Sequence, residues 1–358
     1  MIKNYDNLNG LSYKEEDVFL HFTGNVFGIG CSALNKNSIS KISKLKNRTD
    51  NKGFIVLFAS IKQTIEFGFD LLKDNFRINS LVNQYSPGNV TFILKSNNDI
   101  FNNISINNEI ALRIPSSKFL RIFITKINQP IVSTSVNISG TPLINDIDII
   151  KQKFNSWFDY SILSINEKKF DDSPSTIIRF IKPTIQQDYV LECLREGSIL
   201  KEEIDNSWQQ PVIQFVCVGN ICRSPLAELY TKKRFEEENL IFKVESSGLI
   251  DNPTLISKHS QTILRQNDIN AEHKYSRQIS QKIIQRSTYI LCMTRNIKDT
   301  LLNQFDNIEN KVFTYAEFTN NSIDITDPYG LDFSAYQKSW DLIKKYTEDL
   351  IKILKGKI

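Results

Sequence analysis

Along the first half of the chain, short apolar runs alternate with longer mixed stretches. GFIVLFAS, NVTFILK, EIALRIP and PIVSTSV have the length and the β-branched content of sheet strands. Between such runs, NSISKISKLK places Ile39, Ile42 and Leu45 at helical spacing. The combination predicts an α/β domain on a sizeable twisted sheet. A polar, charged stretch, GSILKEEIDNSWQQ at 197–210, then precedes a fresh strand, PVIQFVCV. A boundary here divides the chain into domains 1–205 and 206–358. Beyond it the order is a strand over 212–218, a helix from Pro225, the short strand FKVESSG, a helix before NDINAEH, the strand TYILCMT and more helix. The final helix carries Tyr336, Trp340, Ile343, Leu350, Ile351 and Leu354 on roughly one face. This alternation predicts a doubly wound parallel sheet, which binds ligands at the carboxyl ends of its strands.

Composition changes little in that picture. A chain of 358 residues with 41% hydrophobic content can fill two ordinary cores. A net charge of +4 permits nucleic-acid contact without arguing for it. Five scattered cysteines do not read as a secreted disulfide framework. The N-terminus MIKNYDNLNG has no signal-peptide pattern, and no run has the length of a membrane span. The expectation is a soluble, cytoplasmic protein without membrane contact.

The chemistry begins at FVCVGNICRSPLAE, Phe215 to Glu228. A strand ends near Cys217, a glycine-containing loop follows, and Arg223-Ser224-Pro225 opens a helix, with proline where its missing N–H costs nothing. Loop amides and the positive end of the helix dipole form a cradle for a tetrahedral oxyanion, and Arg223 can clamp it. The same field favours a thiolate at Cys217. The run Cys217-Val218-Gly219-Asn220-Ile221-Cys222-Arg223-Ser224-Pro225 resembles the signature of the low-molecular-weight protein tyrosine phosphatases. The resemblance extends from about Pro211 to the C-terminus. It implies that Cys217 attacks phosphorus, that Arg223 and the loop Val218, Gly219, Asn220, Ile221 and Cys222 hold the phosphate, and that Ser224 hydrogen-bonds the thiolate. Asp327, in Asp327-Pro328-Tyr329, becomes the general acid, and Tyr329 lines the entrance. Ser246 to Leu249 and Cys292 to Thr294 match framework strands. Ile221 stands where a phosphoarginine-specific branch carries threonine and so resembles the tyrosine-specific form. Tyr329 is followed by Gly330 instead of a second tyrosine, which implies a more open entrance. Cys222 is a candidate for a reversible disulfide with Cys217. The family needs no cofactor.

In the first half NVFGIGCSALN, KLKNRTDNKGFIVL, SPGNVTFIL, ALRIPSS, VSTSVNISG and SPSTIIRF occur in order. Together they resemble the YrdC-like threonylcarbamoyl-AMP synthases. Lys46, Arg48 and Lys52 form a basic group after a helix, suited to a triphosphate, and Ser135 and Asn137 offer short polar groups after an apolar strand. The resemblance implies an ATP- and threonine-binding cleft that also draws on Thr23, Asn25, Arg113, Thr134, Ser175, Thr176 and Arg195. The reaction would join L-threonine, bicarbonate and ATP, accompanied by Mg²⁺, with tRNA or tRNA-modification proteins as partners. The family's Pro-Thr-Glu-Thr turn reads Phe22-Thr23-Gly24-Asn25, and Ser86 replaces a tryptophan before Pro87-Gly88. The expectation is a bifunctional enzyme of two α/β domains without a metal of its own. The alternative is a phosphatase joined to a degenerate nucleotide- or RNA-binding module.

Overall fold

The computed structural model describes residues 4–6, 8–47, 54–138, 141–164, 173–182 and 188–356. The chain folds as two compact units, residues 1–74 with 85–202 and residues 75–84 with 203–358.

The first unit is built on ten described strands: β1 (Asn4–Tyr5), β2 (Phe19–Phe22), β3 (Phe27–Ser32), β4 (Ile55–Leu57), β5 (Val90–Lys95), β6 (Glu109–Arg113), β7 (Ile131–Ser135), β8 (Tyr160–Ile162), β9 (Thr176–Ile181) and β10 (Val190–Arg195). They form one sheet in the order β1-β8-β2-β3-β7-β4-β6-β5-β9-β10. Pairing is mixed: β2 with β3 and β3 with β7 are antiparallel, whereas β4 with β6 and β5 with β9 are parallel. The helix Lys36–Leu45 starts on Asn35, whose side chain caps Ser38 N–H, and buries Ile39 and Ile42 as their spacing predicts. Leu45 stays partly exposed.

In the second unit β11 (Val212–Cys217), β12 (Lys243–Gly248), β13 (Tyr289–Cys292) and β14 (Val312–Thr314) form a parallel sheet in the order β12-β11-β13-β14. The central strand β11 is buried along its whole length, so its hydrophobic run is continuous instead of alternating. The final helix Phe333–Lys355 buries Tyr336, Trp340, Ile343, Leu350, Ile351 and Leu354 against this core.

Two features depart from the linear reading. The polar stretch at 197–210 contains the helix Lys201–Gln209, whose Ile204 and Trp208 are buried. The helix Phe76–Gln84, from the first half of the sequence, belongs to the second unit. There Phe76 stacks on Tyr289, Ser80 Oγ meets the Tyr289 hydroxyl at 2.6 Å, and Thr288 Oγ1 donates to Gln84 Oε1 at 2.8 Å. The division at 205/206 keeps this helix with the first domain, whereas tertiary packing groups it with the second unit. Among the described residues no helix is long and apolar enough to cross a membrane.

Candidate active sites

β11 ends at Cys217, and the helix Arg223–Glu237 begins directly after Cys222. The five residues between them must reverse the chain in little space. Asn220 takes the left-handed conformation at φ 54°, where asparagine is better tolerated than most side chains. Its backbone N–H points at Cys217 Sγ, 3.2 Å away, and Ser224 Oγ lies 3.0 Å from the same sulfur. Cys217, Asn220, Arg223 and Ser224 are all buried. The first turn of the helix leaves N–H groups without intrahelical partners at this point, so its positive end faces the loop.

Arg223 is buried and its donors are only partly used. Nη1 donates to the Ile325 carbonyl at 3.0 Å and Nη2 pairs with Asp327, while Nε has no hydrogen-bond partner among the described residues. An unpartnered buried guanidinium donor beside a thiol is suited to receive an oxyanion. The Asp327 side chain is 42% exposed, and its Oδ1 accepts from Tyr329 N–H at 3.3 Å, an Asx turn that holds the carboxyl at the rim. Tyr329 itself is 69% exposed. Val218 and Ile221 add apolar surface, the Ile221 side chain leaning over Gly219. The Cys217 and Cys222 thiols are both free, Cys222 Sγ lies 3.2 Å from the Tyr336 hydroxyl, and burial pushes its thiol up from the ordinary range.

Behind the loop stands a network that motif spacing did not reveal. Asn220 Nδ2 donates to Ser224 Oγ at 2.9 Å and to Ser246 Oγ at 2.7 Å, and Ser246 in turn donates to buried Glu228. Lys274 Nζ neutralises Glu228 at 2.5 Å. Ser246, read from sequence as framework, therefore orients the phosphate loop. The polar residues buried on β12, Glu245-Ser246-Ser247, were the available signal, since buried polar groups need partners.

In the first unit, Lys46 follows the helix Lys36–Leu45 and is buried instead of solvated. Its Nζ donates to the Ser135 carbonyl at 2.6 Å and to Asn137 Oδ1 at 2.9 Å, and Ser135 Oγ donates to Asn137 Oδ1 at 2.6 Å. The structure thus joins Lys46, Ser135 and Asn137. Arg48 and Lys52 lie outside the described residues. Thr134 does not join this group, because strand alternation turns it to the face of β7 opposite Ser133 and Ser135.

A second group surrounds Arg113, at the end of β6. Its Nη2 donates to Asn25 Oδ1 at 2.9 Å and Asn89 Oδ1 at 2.7 Å, and Nε donates to the Gly88 carbonyl at 2.8 Å. Thr23 Oγ1 donates to Asn25 Oδ1 at 2.8 Å. The altered turn is therefore fully engaged, with Asn25 bridging Thr23 and Arg113. Arg195 donates to Ser175 O at 2.8 Å, Ser175 Oγ meets Thr91 Oγ1 at 2.8 Å, and Thr176 Oγ1 donates to the Ile199 carbonyl at 2.5 Å. Burial first, and Arg195 second, lower the Arg113 guanidinium to about 9; burial also lowers Arg195. Every hydrogen-bond acceptor described for these two cations is neutral. His21, on β2 and bonded to Ser133, completes this buried polar group and carried no motif signal.

The Sua5/YciO/YrdC family model, described as telomere recombination, matches residues 13–197, more than half of the chain. The chain belongs to this family. The model of low molecular weight phosphotyrosine protein phosphatases matches residues 212–358. The Sua5/YciO/YrdC segment is 34% identical over 150 residues to a threonylcarbamoyl-AMP synthase of Wigglesworthia glossinidia brevipalpis, covering 40% of this chain and 74% of that protein. The phosphatase segment is 32% identical over 145 residues to a protein-arginine-phosphatase of Bacillus subtilis, covering 40% of this chain and 96% of the relative. A crystal structure of a YwlE mutant from Bacillus subtilis is 31% identical, covers 40% of this chain and 99% of its own, and has a TM-score of 0.39. Two catalytic families therefore occupy one bifunctional Sua5/YciO/YrdC chain.

Proposed function

We propose that the second unit hydrolyses protein phosphotyrosine through a cysteinyl-phosphate. The observation that carries this is Cys217 Sγ held by Asn220 N–H and Ser224 beside a buried Arg223 whose Nε has no described partner. The phosphate of the substrate takes over Arg223 and leaves Asp327 facing the ester oxygen. The sulfur forms its bond to phosphorus as the P–O ester bond breaks, and the Asp327 carboxyl gives its proton to the departing phenol oxygen. Water then attacks phosphorus, Asp327 takes its proton, and Cys217 leaves as thiolate. Ile221, Val218 and Tyr329 favour an aromatic phosphoester over a guanidinium. A second reading, phosphoarginine, is supported by the similarity to the protein-arginine-phosphatase of Bacillus subtilis. Turnover of phosphotyrosine and phosphoarginine peptides by the wild-type chain and by Cys217→Ser tests both. The serine variant should fall below a few per cent of wild-type turnover, and a tenfold preference for phosphoarginine would reject the tyrosine reading.

For the first unit we propose formation of threonylcarbamoyl-AMP and pyrophosphate from L-threonine, bicarbonate and ATP, which would supply adenosine modification in tRNA. Buried Arg113 and the more exposed Arg195, both bonded to neutral acceptors, support an anion site, and Lys46 with Ser135 and Asn137 supports a second. Among the described residues no group of three or more His, Cys, Asp or Glu could hold a metal. We place Mg²⁺ on the ATP phosphates. We place both activities in the cytoplasm, with tRNA or its modifying proteins as partners. Pyrophosphate release that depends on threonine and bicarbonate tests the reaction; ATP binding without it would leave only nucleotide binding.

A further inference from the structure

We propose that Arg277 is a positioning residue for the nucleophile, acting through Asn220; this rests on the phosphatase reading above. Arg277 lies outside both the phosphate loop and the general-acid turn. Its backbone N–H donates to Asn220 Oδ1 at 3.0 Å. Its side chain is held twice, by the Ser246 carbonyl to Nε at 2.7 Å and by the Glu245 carboxylate to Nη2 at 2.7 Å. Its own carbonyl accepts from Gly248 N–H at 2.9 Å. Glu245 is buried and is also paired with Lys243 at 2.7 Å and with Arg286. One carboxylate thus anchors three cations, and the arginine among them that also reaches the loop is Arg277.

The consequence lies in the direction of the hydrogen bonds. A side-chain amide has one accepting end and one donating end. With Asn220 Oδ1 occupied by Arg277 N–H, the NH₂ end must face Ser224 and Ser246, as observed. Ser224, accepting from Asn220, has its own hydrogen left for Cys217 Sγ at 3.0 Å, nearer than the Ser247 carbonyl at 3.5 Å. Ser246, accepting from the same amide, has its hydrogen left for Glu228. If the Arg277 segment shifts, the amide can turn over, and Ser224 then donates to Asn220 instead of to sulfur. The thiolate loses one oriented donor while the cradle amides and Arg223 remain. The Glu245 anchor therefore sets the polarity of a chain that runs from Arg277 through Asn220 and Ser224 to the sulfur.

The test uses the full chain and an aryl phosphate such as para-nitrophenyl phosphate, with kcat, KM and melting temperature measured together. For Arg277→Leu we expect kcat to fall about tenfold, the equivalent of roughly 1.4 kcal/mol, with KM within twofold. Arg277→Lys, which keeps a cation for Glu245, should recover to within about threefold of wild type. Glu245→Gln should lose threefold to tenfold, and these two milder variants carry the test where the leucine variant does not fold. Absence of turnover in the wild-type chain would reject the phosphatase reading itself. Wild-type activity with an unchanged kcat in Arg277→Leu and Glu245→Gln would overturn the positioning role. So would equal losses in the lysine and leucine variants that track a drop in melting temperature.

Discussion

His21 should make the Sua5/YciO/YrdC unit sensitive to mild acid. It lies opposite Gly28 in the β2–β3 register, and its ring fills the space above two glycines of β3. A Cβ at Gly28 would stand 2.8 Å from the ring, and one at Gly30 3.1 Å. Nε2 meets Ser133 Oγ at 3.1 Å, and Nδ1 is buried without a hydrogen-bond partner among the described residues. Burial, with Arg113 adding to it, lowers the imidazole from 6.5 to about 3. Below pH 6.5 the unfolded chain takes up a proton that the folded chain refuses until about pH 3. Stability is therefore lost as pH falls through that window, approaching ~1.4 kcal/mol per unit. Between pH 6.5 and 4.5 the loss is on the order of 2–3 kcal/mol.

His21→Phe keeps an aromatic ring over the glycines and removes the titration. Its loss of the Ser133 hydrogen bond is a constant offset of about 1 kcal/mol at every pH. Urea-dependent hydrogen exchange on peptides covering β2 and β3, at pH 7 and pH 4.5 with the intrinsic rates corrected, gives the local free energy of each protein. The variant should gain on wild type by roughly 2–3 kcal/mol on acidification, because all other titrations cancel in the difference. A wild-type-minus-variant difference that does not change with pH would refute a neutral, buried His21.

Asp327→Asn should slow hydrolysis of phosphotyrosine by about two orders of magnitude, yet matter far less for an aryl phosphate with a weakly basic leaving group. Equal losses in kcat/KM, which reports the step that expels the leaving group, for both substrates would remove Asp327 as the proton donor. ATP should raise the melting temperature of the first unit in a concentration-dependent way, and Arg113→Met should weaken that shift at least tenfold in ATP concentration. Gly24→Ala should destabilise the first unit by more than about 1 kcal/mol by chemical denaturation. Gly24 sits at φ 104°, and a Cβ there would stand 1.9 Å from Ser116 Oγ.

Local order determined a good deal. The run from Cys217 to Pro225 is contiguous, so a strand end, a cradle and a helix start were all readable, and the nucleophile, the clamp and Ser224 came with them. The strands β5, β6 and β7 announced themselves as short apolar runs, because successive positions are buried, and the last helix did so by its apolar face. β1, β8 and β14 are too short to carry a period, and only pairing with longer strands holds them.

Other features depend on residues far apart in the chain, which no local pattern records. The helix Phe76–Gln84 sits within the first family segment, yet its partners are Tyr289 and Thr288. Lys46 reads with Arg48 and Lys52 as a basic group suited to a triphosphate, and packing buries it on Ser135 and Asn137. The resemblance places Thr134 in the same cleft, and the two-residue period of β7 sets it on the face opposite Ser133 and Ser135. Glu228, Glu245 and Arg277 have no motif, since their roles lie in hydrogen-bond partners assembled by the fold. The chain order thus determined which reactive groups are present, whereas the tertiary structure decided how each is oriented, because a hydrogen bond acquires direction only when both partners are in place.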